Sequence, residues 1–367
     1  MRVVVAPDKF KGTLGAREVA SAIARGCRRV RPDADIDLCP MADGGDGTVD
    51  ALMAASGEAI ERFEVTGPLG DRVVAPVARL RGGRSALEAA AAAGLVLVPS
   101  NRRRPLAASS LGVGELMRAA GPADPLIVGV GGTASSDGGT GAARALGWRF
   151  LDRRGRDLAP GGGDLTRLAK ISGDHAVSGL GAVVAACDVT NPLTGPAGAA
   201  TVFAPQKGAS EREVGQLEDA LENLAARIAT DLGIEVGTLS RGGAGGGLGA
   251  GLAVFSGAKL ADGAELVIEA TRLRDRLESA DLVITGEGRL DAQSLEGKVP
   301  IAVAAAARST GVTCMAIAGE VLLGPAILSE AGIELAVSLV AEVGTNKAVA
   351  SPEQSIESVA EHLFQSL

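Results

Sequence analysis

Leu282–Lys298 reads LVITGEGRLDAQSLEGK, and the expected fold turns on it. Leu282-Val283-Ile284 is an apolar run short enough for a buried strand, and Thr285-Gly286-Glu287-Gly288 is expected to end it, with glycines that permit close backbone approach. Glu287, Arg289, Asp291, Gln293 and Ser294 follow, and Lys298 leads into the helix-patterned segment 299–309. Carboxylates and a lysine therefore gather beyond the carboxyl end of a strand, where open α/β sheets bind ligands. An acidic surface turn is the competing reading.

Working outward, 314–318 reads as a strand ending in Gly319-Glu320 and 335–339 as another, each preceded by a helix. At the other terminus, 2–6 reads as a strand, followed by the loop Pro7-Asp8-Lys9-Phe10-Lys11-Gly12-Thr13. A helix comes next, with Val19, Ile23, Cys27 and Val30 on one face, and then a short strand at 36–38. The C-terminal third is a run of βαβ units that only the N-terminal segment can complete. The expected class is α/β with two domains: a discontinuous Rossmann-like parallel-sheet domain from 1–68 plus 268–367, and a second α/β domain, 69–267, inserted in it. The insert is expected to open with a hairpin, 73–80 and 85–90, after Thr66-Gly67-Pro68-Leu69-Gly70. The active site is expected in the cleft between the two.

Composition narrows the chemistry. The 367 residues are 46% hydrophobic, carry a net charge of −8 and hold only 2% aromatics, with no basic run beyond Arg102-Arg103-Arg104. Neither a phosphate-tracking face nor a base-stacking platform is present, so nucleic acid is not an expected partner. Cys27, Cys39, Cys187 and Cys314 are too dispersed for a zinc site and read as buried thiols of a reducing compartment. No stretch suits a signal peptide or a membrane span, so a cytoplasmic protein is expected. With only His175 and His362, both outside the glycine-rich and acidic clusters, acid/base work falls to carboxylates. There are seven lysines, and Lys11, Lys207 and Lys298 each stand beside a glycine in a motif-like loop, a placement suited to phosphate.

The remaining loops share this character. Met41-Ala42-Asp43-Gly44-Gly45-Asp46-Gly47-Thr48 holds two aspartates around paired glycines, suited to Mg²⁺ handling or hydroxyl recognition; a solvated turn competes. After the strand 126–130 comes Gly131-Gly132-Thr133-Ala134-Ser135-Ser136-Asp137-Gly138-Gly139-Thr140-Gly141, a phosphate-loop composition with neither the Walker A spacing nor a dinucleotide fingerprint. The strand 183–187 leads to Asp188-Val189-Thr190-Asn191, where an aspartate and an asparagine can share a metal or a hydroxyl, although Asn-Pro is also a turn starter. Pro205-Gln206-Lys207-Gly208 precedes an amphipathic helix carrying Val214, Leu217, Leu221, Leu224 and Ile228. The densest glycine run, 242–251, contains Gly245 and Gly246 and reads as a nucleotide or hinge loop feeding a packed helix. Taken together, the residues describe a Mg²⁺-dependent phosphotransferase without a Walker A loop. A nicotinamide dehydrogenase lacks its glycine fingerprint here, and a two-domain metabolite sensor is the alternative from another class.

At PDKFKGTL, MADGGDGT, GVGGTASSDGGTG, CDVTNPL, APQKG, GAGGGLG and TGEGRLDAQSLEGK the sequence resembles the bacterial glycerate kinase family of the first type, with seven motifs in the family's order from the first strand to the last. The resemblance implies ATP-dependent phosphorylation of D-glycerate with Mg²⁺, giving 2-phosphoglycerate, with 3-phosphoglycerate as the alternative product. It implies a monomer or homodimer. Motif by motif, it places Asp8 and Lys11, Asp43 and Asp46 with Gly44 and Gly45, and Gly131, Gly132, Thr133, Ser135 and Asp137 at the site. It adds Asp188, Asn191, Lys207, Gly245, Gly246, Glu287, Arg289, Asp291, Ser294 and Lys298. Lys11 and Lys298 are expected to neutralise the transferring phosphoryl group, and Asp43 and Asp188 to hold Mg²⁺. Asp188 is the first candidate base and Asp291 the second. Two departures stand out: Asp46 replaces a common glutamate, and Gly15 replaces a serine that often caps the first helix with Glu18.

Overall fold

The computed structural model describes residues 1–177 and 179–365. In chain order the strands are β1 (Arg2–Pro7), β2 (Asp35–Leu38), β3 (Gly57–Thr66), β4 (Arg72–Leu80), β5 (Arg84–Glu88), β6 (Ala123–Gly129), β7 (Arg149–Leu151), β8 (Lys170–Ser172), β9 (Gly181–Cys187), β10 (Lys259–Asp262), β11 (Leu282–Leu290), β12 (Thr313–Val321) and β13 (Leu335–Ser338). They fall into two compact units. The first comprises Met1–Asp43, Asp50–Ser56 and the chain from Gly263 onward, and the second comprises Gly44–Val49 and Gly57–Asp262.

The first unit is built on a five-stranded sheet of order β13-β12-β11-β1-β2, with parallel pairing at every neighbour. Helices cover both faces of such sheets, so their strands read as unbroken apolar runs, as Val3-Val4-Val5 and Leu282-Val283-Ile284 do; all six side chains are buried. The chain lays β2 on one side of β1 and β11, β12 and β13 on the other. The strand order therefore reverses between β1 and β11, and ligands bind at the carboxyl ends of such a seam.

β11 does not stop at Gly286 as its glycines suggest, but pairs with β12 as far as Leu290↔Val321. Its glycines serve close packing inside the sheet. A Cβ on Gly286 would lie 2.1 Å from the Ile317 carbonyl oxygen, and one on Gly288 would lie 3.3 Å from the Lys11 nitrogen, so the loop after β1 rests directly on β11.

The second unit carries a six-stranded sheet of order β10-β9-β6-β5-β4-β3. β10, β9, β6 and β5 run parallel, whereas β5-β4 and β4-β3 are antiparallel. The unit opens one strand earlier than the boundary expected at residue 69, because β3 pairs with β4 in the register Val65↔Val73. β3 is an edge strand whose Glu58, Glu61, Arg62 and Glu64 are exposed; charge of that kind protects an edge and hides it from hydrophobic pattern reading. The unit also closes slightly earlier than expected, since the helix Gly263–Thr271 belongs with the first unit. The strand expected over 85–90 ends at Glu88, where Ala89–Ala93 turns helical in keeping with alanine's propensity. Cys27, Cys39, Cys187 and Cys314 are buried free thiols. Among the described residues no helix is long and apolar enough to cross a membrane.

In the first unit, the helix Ala16–Val30 buries Val19, Ile23 and Cys27 in a cluster that includes Ile356, Val359 and Leu363 of the helix Pro352–Gln365. The Glu18 carboxylate accepts from the Gly15 N–H at 2.9 Å, so half of the expected capping box survives without a serine. Gly26 lets the two helices touch: a Cβ there would lie 2.3 Å from the Glu357 carbonyl oxygen. Gly to Ala gains up to about 1 kcal/mol of helix propensity in an open helix. Here the clash should outweigh it. We expect Gly26→Ala to lower the denaturant midpoint; a rise would show that the interface gives way.

Candidate active site

The loops at the carboxyl ends of β1 and β11 assemble the first group of polar side chains. Asp8 stands one residue beyond the Pro7↔Gly286 pair, and its N–H donates to the Gly286 carbonyl at 2.8 Å, which sets it beside Glu287. Asp8 Oδ1 accepts from the Lys9 N–H at 2.7 Å, and Lys9 Nζ lies 3.7 Å from Asp8 and 3.8 Å from Asp43. Burial pushes the Asp8 carboxyl up to about 7; the Lys9 charge draws it back, while Asp43 and Glu287 push it further. Glu287 is 6% exposed and burial likewise pushes it up to about 7, against the pull of the nearby Ser294 hydroxyl and Lys298. Its Oε1 has no hydrogen-bond partner among the described residues.

The rest of the Leu282–Lys298 stretch frames Glu287. Asp291 caps a short 3-10 turn, accepting from the Gln293 N–H at 2.9 Å, while Ser294 Oγ accepts from the Asp291 N–H at 3.0 Å. Arg289 is exposed and pairs with Asp291 at 3.4 Å and Glu320 at 3.7 Å. Lys298 is half-buried at the start of the helix Val299–Thr310. Lys11 sits exposed on the turn closed by the Phe10↔Leu14 bridge. Lys9 was not among the expected lysines, because no glycine adjoins it; its place one residue after Asp8 is the signal that could have found it.

In the second unit, the parallel strands β5, β6 and β9 deliver Glu88, the loop Val130–Gly141 and Asp188 to one edge. Gly44 and Gly45 lie against this edge. A Cβ on Gly131 would sit 2.8 Å from the Gly45 Cα and 3.3 Å from Asp188 Oδ2, so glycine at 131 lets the two backbones meet beside that carboxylate. Glu88, which the sequence did not single out, accepts from the Val49 N–H at 2.8 Å and anchors the start of the helix Thr48–Ser56. Asp46 is exposed, and Asn191 Nδ2 donates to the Ala197 carbonyl at 2.9 Å.

Gly245, Gly246 and Gly247 are consecutive left-handed residues ahead of a packed helix, and Thr133 Oγ1 donates to the Gly245 carbonyl at 2.9 Å, joining the two glycine loops. Runs of this kind expose successive N–H groups suited to anions. Ser135 Oγ and Ser136 Oγ are buried and lack partners among the described residues. Two residues expected to meet the ligand have internal roles. The Asp137 carboxylate, fully buried, accepts from the N–H groups of Ser110 (2.8 Å), Gly139 (3.1 Å) and Gly141 (3.1 Å), tying together the starts of the helices Leu111–Ala120 and Thr140–Ala145. Lys207, 4% exposed, donates to the Ser135 carbonyl, and a Cβ on Gly246 would come within 2.7 Å of its Nζ. Burial draws the Lys207 ammonium down to about 8, against the Asp137 charge. A phosphate contact needs an accessible ammonium; this one clamps two loops.

Among the described residues no three His, Cys, Asp or Glu side chains converge as a ready metal cage. Mg²⁺ usually takes one or two carboxylates and completes its shell with water and substrate phosphate; Asp43 in the first unit and Asp188 in the second each carry hard oxygens of that kind.

Asp8 and Glu287 make stability depend on pH. Their native carboxyls titrate near 7 rather than in the ordinary range, so between about pH 4 and about pH 7 the native state binds more protons than the unfolded chain. Stability therefore falls as pH rises through that window. We expect the double variant Asp8→Asn/Glu287→Gln to flatten this dependence in denaturant midpoints measured from about pH 5 to about pH 8. An unchanged slope would show that the two groups titrate normally.

The glycerate kinase family model matches residues 3–367. A glycerate kinase from Halalkalibacterium halodurans is 43% identical over 368 residues, covering 98% of this chain and 97% of that protein. Glycerate 2-kinase of Escherichia coli K12 is 42% identical over 354 residues, covering 94% and 92%. A crystal structure assigned to glycerate kinase 2 of Salmonella typhimurium LT2 superposes with a TM-score of 0.84 at 42% identity, covering 100% of this chain and 98% of that one. With likeness of sequence and of fold running along nearly the whole chain, this protein belongs to the glycerate kinase family.

Proposed function

We propose that the protein transfers the γ-phosphoryl group of ATP to the 2-hydroxyl of D-glycerate, giving 2-phosphoglycerate and ADP. The observation that carries this reading is the buried Glu287 oxygen without a partner, set among Asp8, Ser294 and Lys298 at the seam where the first sheet reverses. An open carboxylate oxygen beside a lysine suits a small hydroxy acid approaching a phosphoryl group. Family membership supports the acceptor, and the 42% identity to the Escherichia coli glycerate 2-kinase supports the 2-position.

Phosphoryl transfer asks a protein chiefly for positioning and charge neutralisation. Lys298 and Lys11 carry the charges for the transferring group, Lys11 from the turn that rests on Gly288. The N–H groups of Gly131, Gly132, Gly245 and Gly246, with the Ser135 hydroxyl, suit the phosphate oxygens. Lys207 and Asp137 hold those loops in shape. Asp43 and Asp188, one in each unit, are the candidate carboxylates for Mg²⁺, which when bound would supply positive charge to the phosphates. Four buried free thiols agree with a cytoplasmic enzyme, and the family resemblance suggests a monomer or homodimer.

³¹P NMR of the purified protein with MgATP and D-glycerate tests the reaction and the position together. We expect the 2-phosphoglycerate resonance. 3-Phosphoglycerate would move the transfer to the other hydroxyl, and no phosphoglycerate at all would reject the kinase and favour a sensor that binds without turnover. In the same assay Asp188→Asn should raise the Mg²⁺ concentration for half-maximal rate by about tenfold or more, with an unchanged unfolding midpoint; an unaltered Mg²⁺ dependence would remove Asp188 from the metal.

A further inference from the structure

We infer that Glu287 is the catalytic base, and that its Oε1 receives the proton of the attacking glycerate hydroxyl. The inference rests on the kinase reading and goes beyond it, since the sequence favoured Asp188 and then Asp291 for this task. Position is the first argument. Glu287 lies on β11 just past the Pro7↔Gly286 pair, at the carboxyl end of the seam where the strand order reverses. A side chain there is fixed by the sheet, whereas Asp291 lies on the turn that follows.

The second argument is hydrogen-bond accounting. Buried carboxylate oxygens are normally satisfied, and one left open is a cost that persists when a ligand donor fills it in function. Glu287 Oε1 is such an atom, in a residue 6% exposed. Asp291, by contrast, already accepts from the Gln293 N–H and pairs with Arg289. Asp188 stands against the glycine backbone at Gly131, a place suited to the metal. Asp8 accepts from the Lys9 N–H and faces Lys9 Nζ, and its own N–H donates to the Gly286 carbonyl, so it acts as a positioning residue beside Glu287. The burial that lifts the Glu287 carboxyl to about 7 also suits it to proton exchange near neutrality.

The step balances. A lone pair of the glycerate oxygen forms the new bond to the γ-phosphorus as the bond from that phosphorus to the bridging oxygen breaks, its electron pair leaving on ADP. The hydroxyl proton passes to Glu287 Oε1, and Glu287 returns it to water once the product has gone. Lys298 and the Ser294 hydroxyl oppose the effect of burial and so favour return of the carboxylate to its ionised form for the next turnover.

The test uses the full chain with MgATP and D-glycerate, comparing the unaltered protein with Glu287→Gln, Glu287→Ala and Glu287→Asp. We expect kcat to fall by about 10²- to 10⁴-fold in the Gln and Ala variants, with KM for both substrates and the Kd for ADP within a few-fold of normal. Added formate should restore part of the rate of Glu287→Ala and none of that of Glu287→Gln. Glu287→Asp, which keeps a carboxylate on a shorter stem, should fall between, and it stands in should the other variants fail to fold. A Gln variant within a few-fold of normal kcat, a loss confined to KM, or no rescue by formate would each overturn the assignment. An unaltered chain that fails to phosphorylate glycerate while still binding ADP would remove the kinase reading, and this role with it.

Discussion

The parallel pairing of β1 with β11 is the constraint on which the first unit depends. It joins Val3 to Leu282 and Pro7 to Gly286, residues separated by the whole of the second unit. Closing a loop of that length costs only a few kcal/mol more than closing a short one, because the penalty grows logarithmically. The burial of Val3, Val5, Leu282 and Ile284 in one cluster, at about 1.5–3 kcal/mol for each large apolar side chain, readily offsets it. Once the seam forms, Asp8 and Glu287 have no choice of place. The hydrogen bond from Asp8 to Gly286 fixes one, and the β11-β12 ladder fixes the other.

That geometry explains why two carboxylates persist side by side in a site with few positive charges. Each is buried, and burial raises the affinity of each for a proton, with the Glu287 charge adding to the effect at Asp8. Lys9 partly balances Asp8 and Asp43, and Lys298 partly balances Glu287. Neither carboxylate is fully compensated, which is poor for stability and useful for chemistry, the usual trade at a functional site. The second unit solves a different problem. Gly45, Gly131 and Gly246 have backbones in close contact with their neighbours, Gly246 at positive φ, and internal bonds from Asp137 and Lys207 hold the glycine loops that would otherwise be floppy.

Much of this was legible in the residues. The apolar runs of β1, β6, β9, β11 and β12 announced buried strands, and the spacing of Val19, Ile23 and Cys27 announced the first helix. β3 and β10 were missed because edge strands carry charge or are too short to show a pattern, and the unit boundary shifted with them. Gly286 reads as a stop in the sequence, yet glycine in a strand has two meanings, and only the neighbouring Ile317 carbonyl distinguishes close packing from termination. Lys207 and Asp137 are ambiguous for a similar reason. A lysine beside a glycine and an aspartate among serines look the same in sequence whether they face a phosphate or the protein's own carbonyls and N–H groups.

By itself the sequence determined the α/β class, the discontinuous first sheet, the glycine loops, and through its seven motifs the glycerate kinase family. These follow from local pattern and residue chemistry, which each segment carries wherever it sits. The tertiary structure alone decided which carboxylates stand together, which oxygens keep a partner and which do not. Solvation and hydrogen-bond satisfaction are set by the folded surroundings: Glu287 differs from Asp291, four residues away, because the fold buries one with an oxygen left open and gives the other a backbone N–H and an arginine.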